Sequence, residues 1–259
     1  MIRTIFPDVH GEHLERAACD AFFEDTKRDD PDEVVGLGDL IDCGGVFSVN
    51  ARSFTNEMTE SYEDDVAGGN WFLDQLMKAC PRAARAGKIY LIEGNHEQHV
   101  ERWATRTFAS HKDARMLLEK FGPEKVLHLK ARGIKYFRRS EFYQGISIPG
   151  TIRLGKCFFT HGVTHSANAA RAHLHAFGAS VVFGHVHAAQ SLIQRTVVSK
   201  GIGAFCPGTL AKLQPLWKHT TPTNWNHGYA IQGVTKSGNF AHFNIPILEG
   251  QSIRTAVLG

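Results

Sequence analysis

Apolar positions in the first half of the chain fall into short runs separated by stretches of helical period. Residues 2–6, with Ile2, Ile5 and Phe6, read as a buried strand, and 33–37 and 88–92 repeat that signature through Val34-Val35 and Ile89-Tyr90-Leu91-Ile92. Between these runs, Leu14, Ala17, Ala18, Ala21 and Phe22 recur at helical spacing and predict a helix over 12–28. Phe72, Leu76 and Ala79 predict another over 71–79, and two more are expected over 97–109 and 112–121. Residues 43–70 lack a period, are acidic and end in Gly68-Gly69, so they read as an irregular insertion. Strands alternating with helices predict βαβ units around a mostly parallel sheet.

From about residue 133 the apolar runs become shorter and closer together. Strands are expected at 134–137, 142–148, 151–154 and 157–160, with Gly155-Lys156 as a tight turn. A short helix over 167–177 precedes strands at 180–183 and 191–199. Residues 229–234 and 240–245 form a predicted hairpin, joined by 235–239 with its glycine. There is neither a Pro/Ser-rich linker nor an internal repeat, so residues 1–259 are expected to form a single α/β domain. Strands with helices on both sides would make a layered sandwich.

Composition narrows the class without choosing a function. A chain of 259 residues that is 42% hydrophobic and 21% charged can bury a substantial core. No apolar run approaches the roughly 18 residues of a membrane helix, and no membrane partner is expected. A strand beginning at the first residues leaves no room for a signal peptide. The five cysteines (Cys19, Cys43, Cys80, Cys157, Cys206) are scattered and contain no C-x-x-C pair, which predicts reduced thiols and a cytoplasmic location.

The net charge of +3 hides an asymmetry. Residues 1–65 carry 17 acidic against 5 basic groups, while the remaining 194 carry 9 against 24. The acidic runs at 29–33 and 63–65 read as solvated. Eight Lys or Arg lie between Lys125 and Lys156 with only Glu141 opposing them, interleaved with Tyr136, Phe137, Phe142 and Tyr143. Such a stretch either follows a polyanionic backbone and stacks its bases, or is a solvated hairpin whose charges serve solubility.

Five short fragments carry the chemistry, each directly after an apolar run: Asp8-Val9-His10, Gly38-Asp39-Leu40-Ile41-Asp42, Gly94-Asn95-His96-Glu97, His161-Gly162 and Gly184-His185-Val186-His187. In open α/β sheets, ligand sites lie in the loops just beyond the carboxyl ends of the strands. Asp8 and His10 can chelate one ion, and a carboxylate such as Asp39 can bridge two held ~3.5–4 Å apart. Asn95 offers an amide oxygen, and His161, His185 and His187 offer imidazole nitrogens. An extended backbone through His185-Val186-His187 would point both imidazoles the same way. Mixed N/O donors without thiolate suit manganese, iron, zinc, cobalt or nickel better than calcium.

The set resembles the calcineurin-like metallophosphoesterase superfamily, whose pattern is D-x-H, G-D-x-x-D, G-N-H-[ED], a His-Gly and G-H-x-H, over residues 8–187. The resemblance implies a four-layer α/β/β/α sandwich of two mixed β-sheets flanked by helices. It also implies two divalent metal ions, with manganese favoured and iron, zinc, cobalt, nickel or magnesium as other candidates. By motif position, one ion falls to Asp8, His10, Asp39 and His187, and the other to Asp39, Asn95, His161 and His185. The stretch Cys206-Pro207-Gly208-Thr209 is similar to the Asn-Pro-Gly-Ser segment of small bacterial members, with Cys and Thr as departures.

The chemistry expected of this set is phosphoester hydrolysis by a metal-bridging hydroxide. His96, beside Asn95 but assigned to neither ion, is the expected general acid, and Asp42 is its orienting partner. Glu97 reads as a helix first-turn carboxylate. His99, Arg102 and Arg106 follow at helical spacing and are candidate substrate contacts. Phosphoprotein phosphatases of this superfamily carry an arginine directly after the second Asp of G-D-x-x-D, where this chain has Cys43. That departure and the G-H-x-H fragment favour a phosphodiesterase acting on DNA, RNA or nucleotides. A broad-specificity phosphomonoesterase is the alternative, and a non-catalytic binding module on the same fold a third. The insertion after Asp42 is expected at the rim of the active site.

Overall fold

The computed structural model describes residues 1–44, 47, 61–195, 197, 201–215 and 222–254. The chain opens the first sheet with β1 (Ile2–Phe6), β2 (Glu33–Gly36), β3 (Ile89–Ile92) and β4 (Lys135–Phe137), all parallel. It then builds a second sheet from β5 (Thr151–Leu154), β6 (Cys157–Thr160), β7 (Val181–Phe183), β8 (Gln190–Gln194) and β9 (Ile202–Cys206). In that sheet β6, β7 and β9 are parallel, flanked by antiparallel β5 and β8 in the order β5-β6-β7-β9-β8. Finally β10 (Gly228–Val234), β11 (Phe240–Leu248) and β12 (Gln251–Ser252) return to the first sheet as antiparallel strands, giving β12-β11-β10-β1-β2-β3-β4.

The period of two along each strand sorts side chains into layers. Ile5, Val35, Leu37 and Ile92 face Ile152, Phe159, Val182 and Phe205 across the space between the sheets. The opposite face of the first sheet, with Phe6, Val34 and Leu91, packs on α1 (Arg16–Asp29) and α2 (Tyr62–Ala79) through Ala18, Phe22, Phe72 and Leu76. Val181, Phe183, Ala204 and Cys206 on the outer face of the second sheet meet Ala169, Ala170 and Leu174 of α7 (Ala169–Phe177). The result is the expected layering of helix, sheet, sheet and helix. Phe6, Phe22 and Phe72 are fully buried with ring centroids 5.1–6.1 Å apart, and each contributes about 1.5–3 kcal/mol relative to an exposed side chain. All five cysteines are buried free thiols, and no helix is long and apolar enough to cross a membrane among the described residues.

Several elements differ from the sequence reading. Residues 45–46 and 48–60 of the expected insertion lie outside the described residues, but its end is helical, because α2 starts at Tyr62 with Ser61 as its N-cap. Gly68 and Gly69 are therefore mid-helix, where α2 lies directly on its neighbours. A Cβ at Gly68 would fall 2.5 Å from the Gly11 carbonyl oxygen, and one at Gly69 would fall 2.4 Å from Ile41. Close approach, not a turn, requires these glycines.

The strand expected at 142–148 does not form, because Gln144 and Gly145 adopt φ of 55° and 71° and turn the chain. Helices α3 (Pro81–Arg85) and α6 (Pro123–Val126) and strands β9 and β12 are additions. Of the strand expected at 191–199, residues 190–194 form β8, while 196 and 198–200 lie outside the described residues. The helices over 97–109 and 112–121 appear as α4 (Gln98–Thr107) and α5 (His111–Phe121).

Candidate metal centre

The parallel strands carry all five fragments to one edge. Asp8 and His10 follow β1, Asp39 and Asp42 follow β2, and Asn95 and His96 follow β3; His161 follows β6, and His185 and His187 follow β7. One donor atom from each of Asp8, His10, Asp39 and His187 lies within 4.8 Å of the others, and Asp39, His161 and His185 form a second such group. Asp39 belongs to both. Asn95 joins the second group, its Oδ1 lying 2.9 Å from His161 Nε2. These are the two sets assigned from motif position, and all seven residues converge.

The donor chemistry fits divalent cations. His10 Nε2 and His187 Nε2 stand 3.1 Å apart, and His187 Nε2 is 3.3 Å from Asp8 Oδ1. His161 donates Nδ1–H to the Leu37 carbonyl at 2.9 Å, which directs the other ring nitrogen at Asp39 Oδ2 (3.1 Å) and Asn95 Oδ1. Lone pairs crowded so closely repel unless a proton or cation lies among them. Burial lowers the pKa of His185 to about 4, with the charge of His161 adding to the effect, and burial also lowers His187. Both rings are therefore neutral and able to ligate. Asp39 stays well below the ordinary carboxylate range: burial opposes its ionisation, but His161 and His96 outweigh it.

Backbone strain marks the same place. His10, Asp39, His185 and His187 have φ of 56°, 49°, 71° and 57°, in the left-handed region that costs non-glycine residues about 1–3 kcal/mol each. The segment through His185 and His187 is thus not extended as expected. Its two left-handed residues separate the rings instead, one to each group. Thr209 supports the site from below by donating Oγ1 to the Asp8 carbonyl at 3.0 Å, which gives the 206–209 segment a structural part.

Two buried carboxylates hold the loops in register, and neither role is visible locally. Glu97 is 1% exposed and accepts backbone N–H groups from Asp39 (3.0 Å), Leu40 (2.5 Å), Ile41 (3.2 Å) and Gly94 (2.8 Å). It stands at the N-cap of α4 but bonds to the 39–41 loop instead of its own helix, which corrects the first-turn reading. Burial, then the charge of Asp39, push its pKa up to about 7 against the pull of the Ile41 and Gly94 amides. No side chain fits at position 94, because a Cβ there would sit 1.9 Å from Asp39 Oδ1.

Asp65, expected in a solvated run, is fully buried and accepts the amides of Asp42 (2.9 Å) and Cys43 (2.7 Å). The run at 29–33 is not solvated either: Glu33 is buried against Arg3, and Asp32 accepts the Ile2 amide at 2.7 Å.

Glu97→Gln is expected to turn an amide N–H2 towards two of the four loop donors. That should cost about 1–3 kcal/mol of stability and weaken metal affinity by about 10–100-fold. A chelator-competition titration with melting curves measures both, and unchanged metal affinity would remove the proposed clamp.

His96 and Asp42 are paired. His96 Nδ1 lies 2.9 Å from Asp42 Oδ1 and 3.0 Å from the Asp42 carbonyl, while His10 Nδ1 lies 2.8 Å from the same carboxylate oxygen. Asp42 therefore fixes both imidazoles with Nδ1 inward and Nε2 outward. Burial would lower the pKa of His96, but the Asp39 charge and the Asp42 hydrogen bond raise it to about 10. Its side chain is 28% exposed, open to an incoming molecule.

The residues expected to contact substrate divide. His99 is buried, with its ring centroid 4.9 Å from that of His96, so it packs against His96 instead of lying open to solvent. Arg102 is exposed and close enough for its charge to act on His99 and Arg139. Arg106, one turn on, is exposed and in no ion pair among the described residues.

The basic stretch is only partly paired, and Lys125, Lys130, Lys135 and Arg153 are exposed. Arg132 pairs with Asp74, Arg138 with Glu124 at 2.9 Å, and Lys156 bonds to Asn239 at 2.7 Å. Tyr136 donates to buried Glu93 at 3.0 Å, and Phe137 packs on Tyr143, which leaves Phe142 as the exposed ring of the four.

Sequence reasoning also missed Trp225, whose ring lies 4.1 Å from that of His187, and His173. The latter donates Nδ1–H to the Ala169 carbonyl and accepts the Val163 amide at 3.0 Å, holding the loop after His161.

A family model described as calcineurin-like phosphoesterase matches residues 3–189. No curated protein matches the chain. Among solved structures, vacuolar protein sorting 29 from Cryptosporidium parvum is 12% identical with a TM-score of 0.47, covering 97% of this chain and 93% of its own. Vps29 from Entamoeba histolytica complexed with zinc is 10% identical (TM-score 0.46; 97% and 96% covered). The phosphoesterase Yfce from E. coli is 16% identical (TM-score 0.39; 94% and 99% covered).

Proposed function

Because this chain belongs to the calcineurin-like phosphoesterase family, we propose that it is a metal-dependent hydrolase of phosphodiesters, holding two divalent ions and using His96 as general acid. The observation that carries this reading is the pair of donor groups sharing Asp39, with His96 directed at the same carboxylate, its Nε2 4.0 Å from Asp39 Oδ2. Asp8, His10, Asp39 and His187 would hold one ion, and Asp39, Asn95, His161 and His185 the other. Ions held there would supply Lewis acidity to the phosphoryl oxygens and acidify a water to act as nucleophile.

The protein's own groups supply the rest. Asp42 holds the His96 ring with Nε2 outward, so a proton on that nitrogen can pass to the oxygen of the departing alcohol. Cations at Asp39 would cancel that carboxylate's effect on His96, leaving the Asp42 hydrogen bond to keep the ring protonated. Manganese remains the favoured ion for a mixed imidazole and carboxylate set, and the buried free thiols accord with a reducing, cytoplasmic setting.

Diester preference is supported by Cys43, buried where phosphoprotein phosphatases place a phosphate-gripping arginine. Two of the eight cations in the 125–156 stretch pair with carboxylates outside it, so the remaining charge leaves DNA, RNA and nucleotides all within the proposed substrate class. The test compares bis(p-nitrophenyl) phosphate with p-nitrophenyl phosphate on manganese-loaded protein. Faster turnover of the diester is expected. A strong monoester preference would move the assignment to the phosphomonoesterases, and no turnover of either would leave a binding module.

A further inference from the structure

We propose that Arg139 grips the substrate phosphoryl group from the His161–Gly162 side of the centre, with Arg102 beside it, and so replaces the arginine missing after Asp42. The proposal rests on the phosphoesterase reading above. Arg139 lies two residues beyond β4, the strand adjacent to the one that delivers Asn95 and His96. Its main chain is anchored by an N–H donated to buried Glu93 at 2.7 Å, a bond that survives any side-chain change. One guanidinium nitrogen, Nη2, donates to the Gly162 carbonyl at 3.0 Å, so the fork is seated one residue from His161.

Nε and Nη1 of Arg139 have no hydrogen-bond partner, and Arg139 is in no ion pair, among the described residues. Its neighbours Arg132 and Arg138 each pair with a carboxylate. The charge of Arg139 reaches His161 and His185, and that of Arg102 reaches Arg139. Two like charges are therefore held near one another beside the metal-site residues, one of them half-buried and in no direct ion pair, with Asp39, Glu93 and Glu97 as the carboxylates whose charge reaches it. Partial burial of an unpaired guanidinium is costly and is relieved by an anion in the gap. A planar fork with two free donor nitrogens matches tetrahedral phosphate oxygens, whereas a single ammonium would not.

Arg139→Ala and Arg139→Lys in the full, manganese-loaded chain test this. Inorganic phosphate titrated calorimetrically is expected to bind about tenfold or more weakly to Arg139→Ala. On the preferred ester, kcat/KM should fall about 10–100-fold, with Arg139→Lys recovering only part. Phosphate affinity and kcat/KM both within about twofold of the parent would overturn the proposal. Loss of bound metal in Arg139→Ala would also overturn it, since the residue would then be holding the His161 loop. If the parent hydrolyses no ester, the functional reading falls, yet the phosphate titration still decides for or against Arg139.

Discussion

Asp39→Asn is expected to abolish turnover and to leave the protein unable to hold its full complement of ions, while the metal-free fold persists. The substitution is isosteric. Asn Oδ1 can still accept the His96 amide, now 2.9 Å from Asp39 Oδ1, and Asn Nδ2 can donate to the ring nitrogen of His161 that faces Oδ2 at 3.1 Å. Only charge is lost, and in the metal-free protein that charge is stabilised by the imidazoles of His161 and His96, which hold the Asp39 carboxyl well below the usual range. Repulsion from the Asp8 carboxylate and the upward push on the pKa of Glu97 offset only part of that gain. The metal-free variant should therefore melt somewhat below the parent.

Added manganese widens the gap. The parent should gain about 2.7 kcal/mol at a hundred times its dissociation constant, and the variant far less. Removing the shared ligand forfeits several kcal/mol of transition-state stabilisation, about a thousandfold in rate. Metal analysis showing two ions per chain in Asp39→Asn would disprove the bridging assignment.

The convergence of the proposed ligand residues was legible in the sequence because strand ends put chemistry next to pattern. Each fragment abuts an apolar run, and parallel strands bring such ends together whatever the intervening length. Glu97, Asp65 and Arg139 were not legible as parts of the site. Glu97 bonds to amides 56 to 58 residues away, and Asp65 to amides 22 and 23 away. A carboxylate that accepts backbone N–H groups leaves no periodic trace, and in a run of acids Asp65 looks like its solvated neighbours.

The layers were read correctly where a short apolar run is buried on both faces, as in β1, β3 and β7. Reading failed where glycine had two meanings. Gly68-Gly69 marks a close helix contact, whereas Gln144-Gly145 marks a real turn inside an otherwise strand-like run. The charge of the 125–156 stretch was legible only in part. Its partners Asp74 and Glu124 lie outside the stretch, so counting within it overstated the open charge.

His96→Asn separates proton donation from metal binding, and its effect is expected to depend on the leaving group. His96 is not in either proposed ligand set, so metal content should be unchanged. Asp42 keeps its bond to His10 at 2.8 Å, which preserves that ligand's orientation. An alkyl or nucleoside alcohol leaves as a strongly basic alkoxide and needs the proton from Nε2, so kcat on such a diester should fall about 10²–10⁴-fold. A p-nitrophenolate needs little protonation at neutral pH, and the same substitution should cost a bis(p-nitrophenyl) ester about tenfold or less.

The contrast between the two substrates is the decisive quantity, because a misplaced ion would depress both alike. Equal losses on the two esters, or a loss accompanied by missing metal, would mean that His96 positions the centre instead of protonating the product. Asp42→Asn should reproduce part of the contrast. Its amide can still orient the rings but no longer favours the charged imidazolium, so the alkyl ester should again suffer more than the nitrophenyl one.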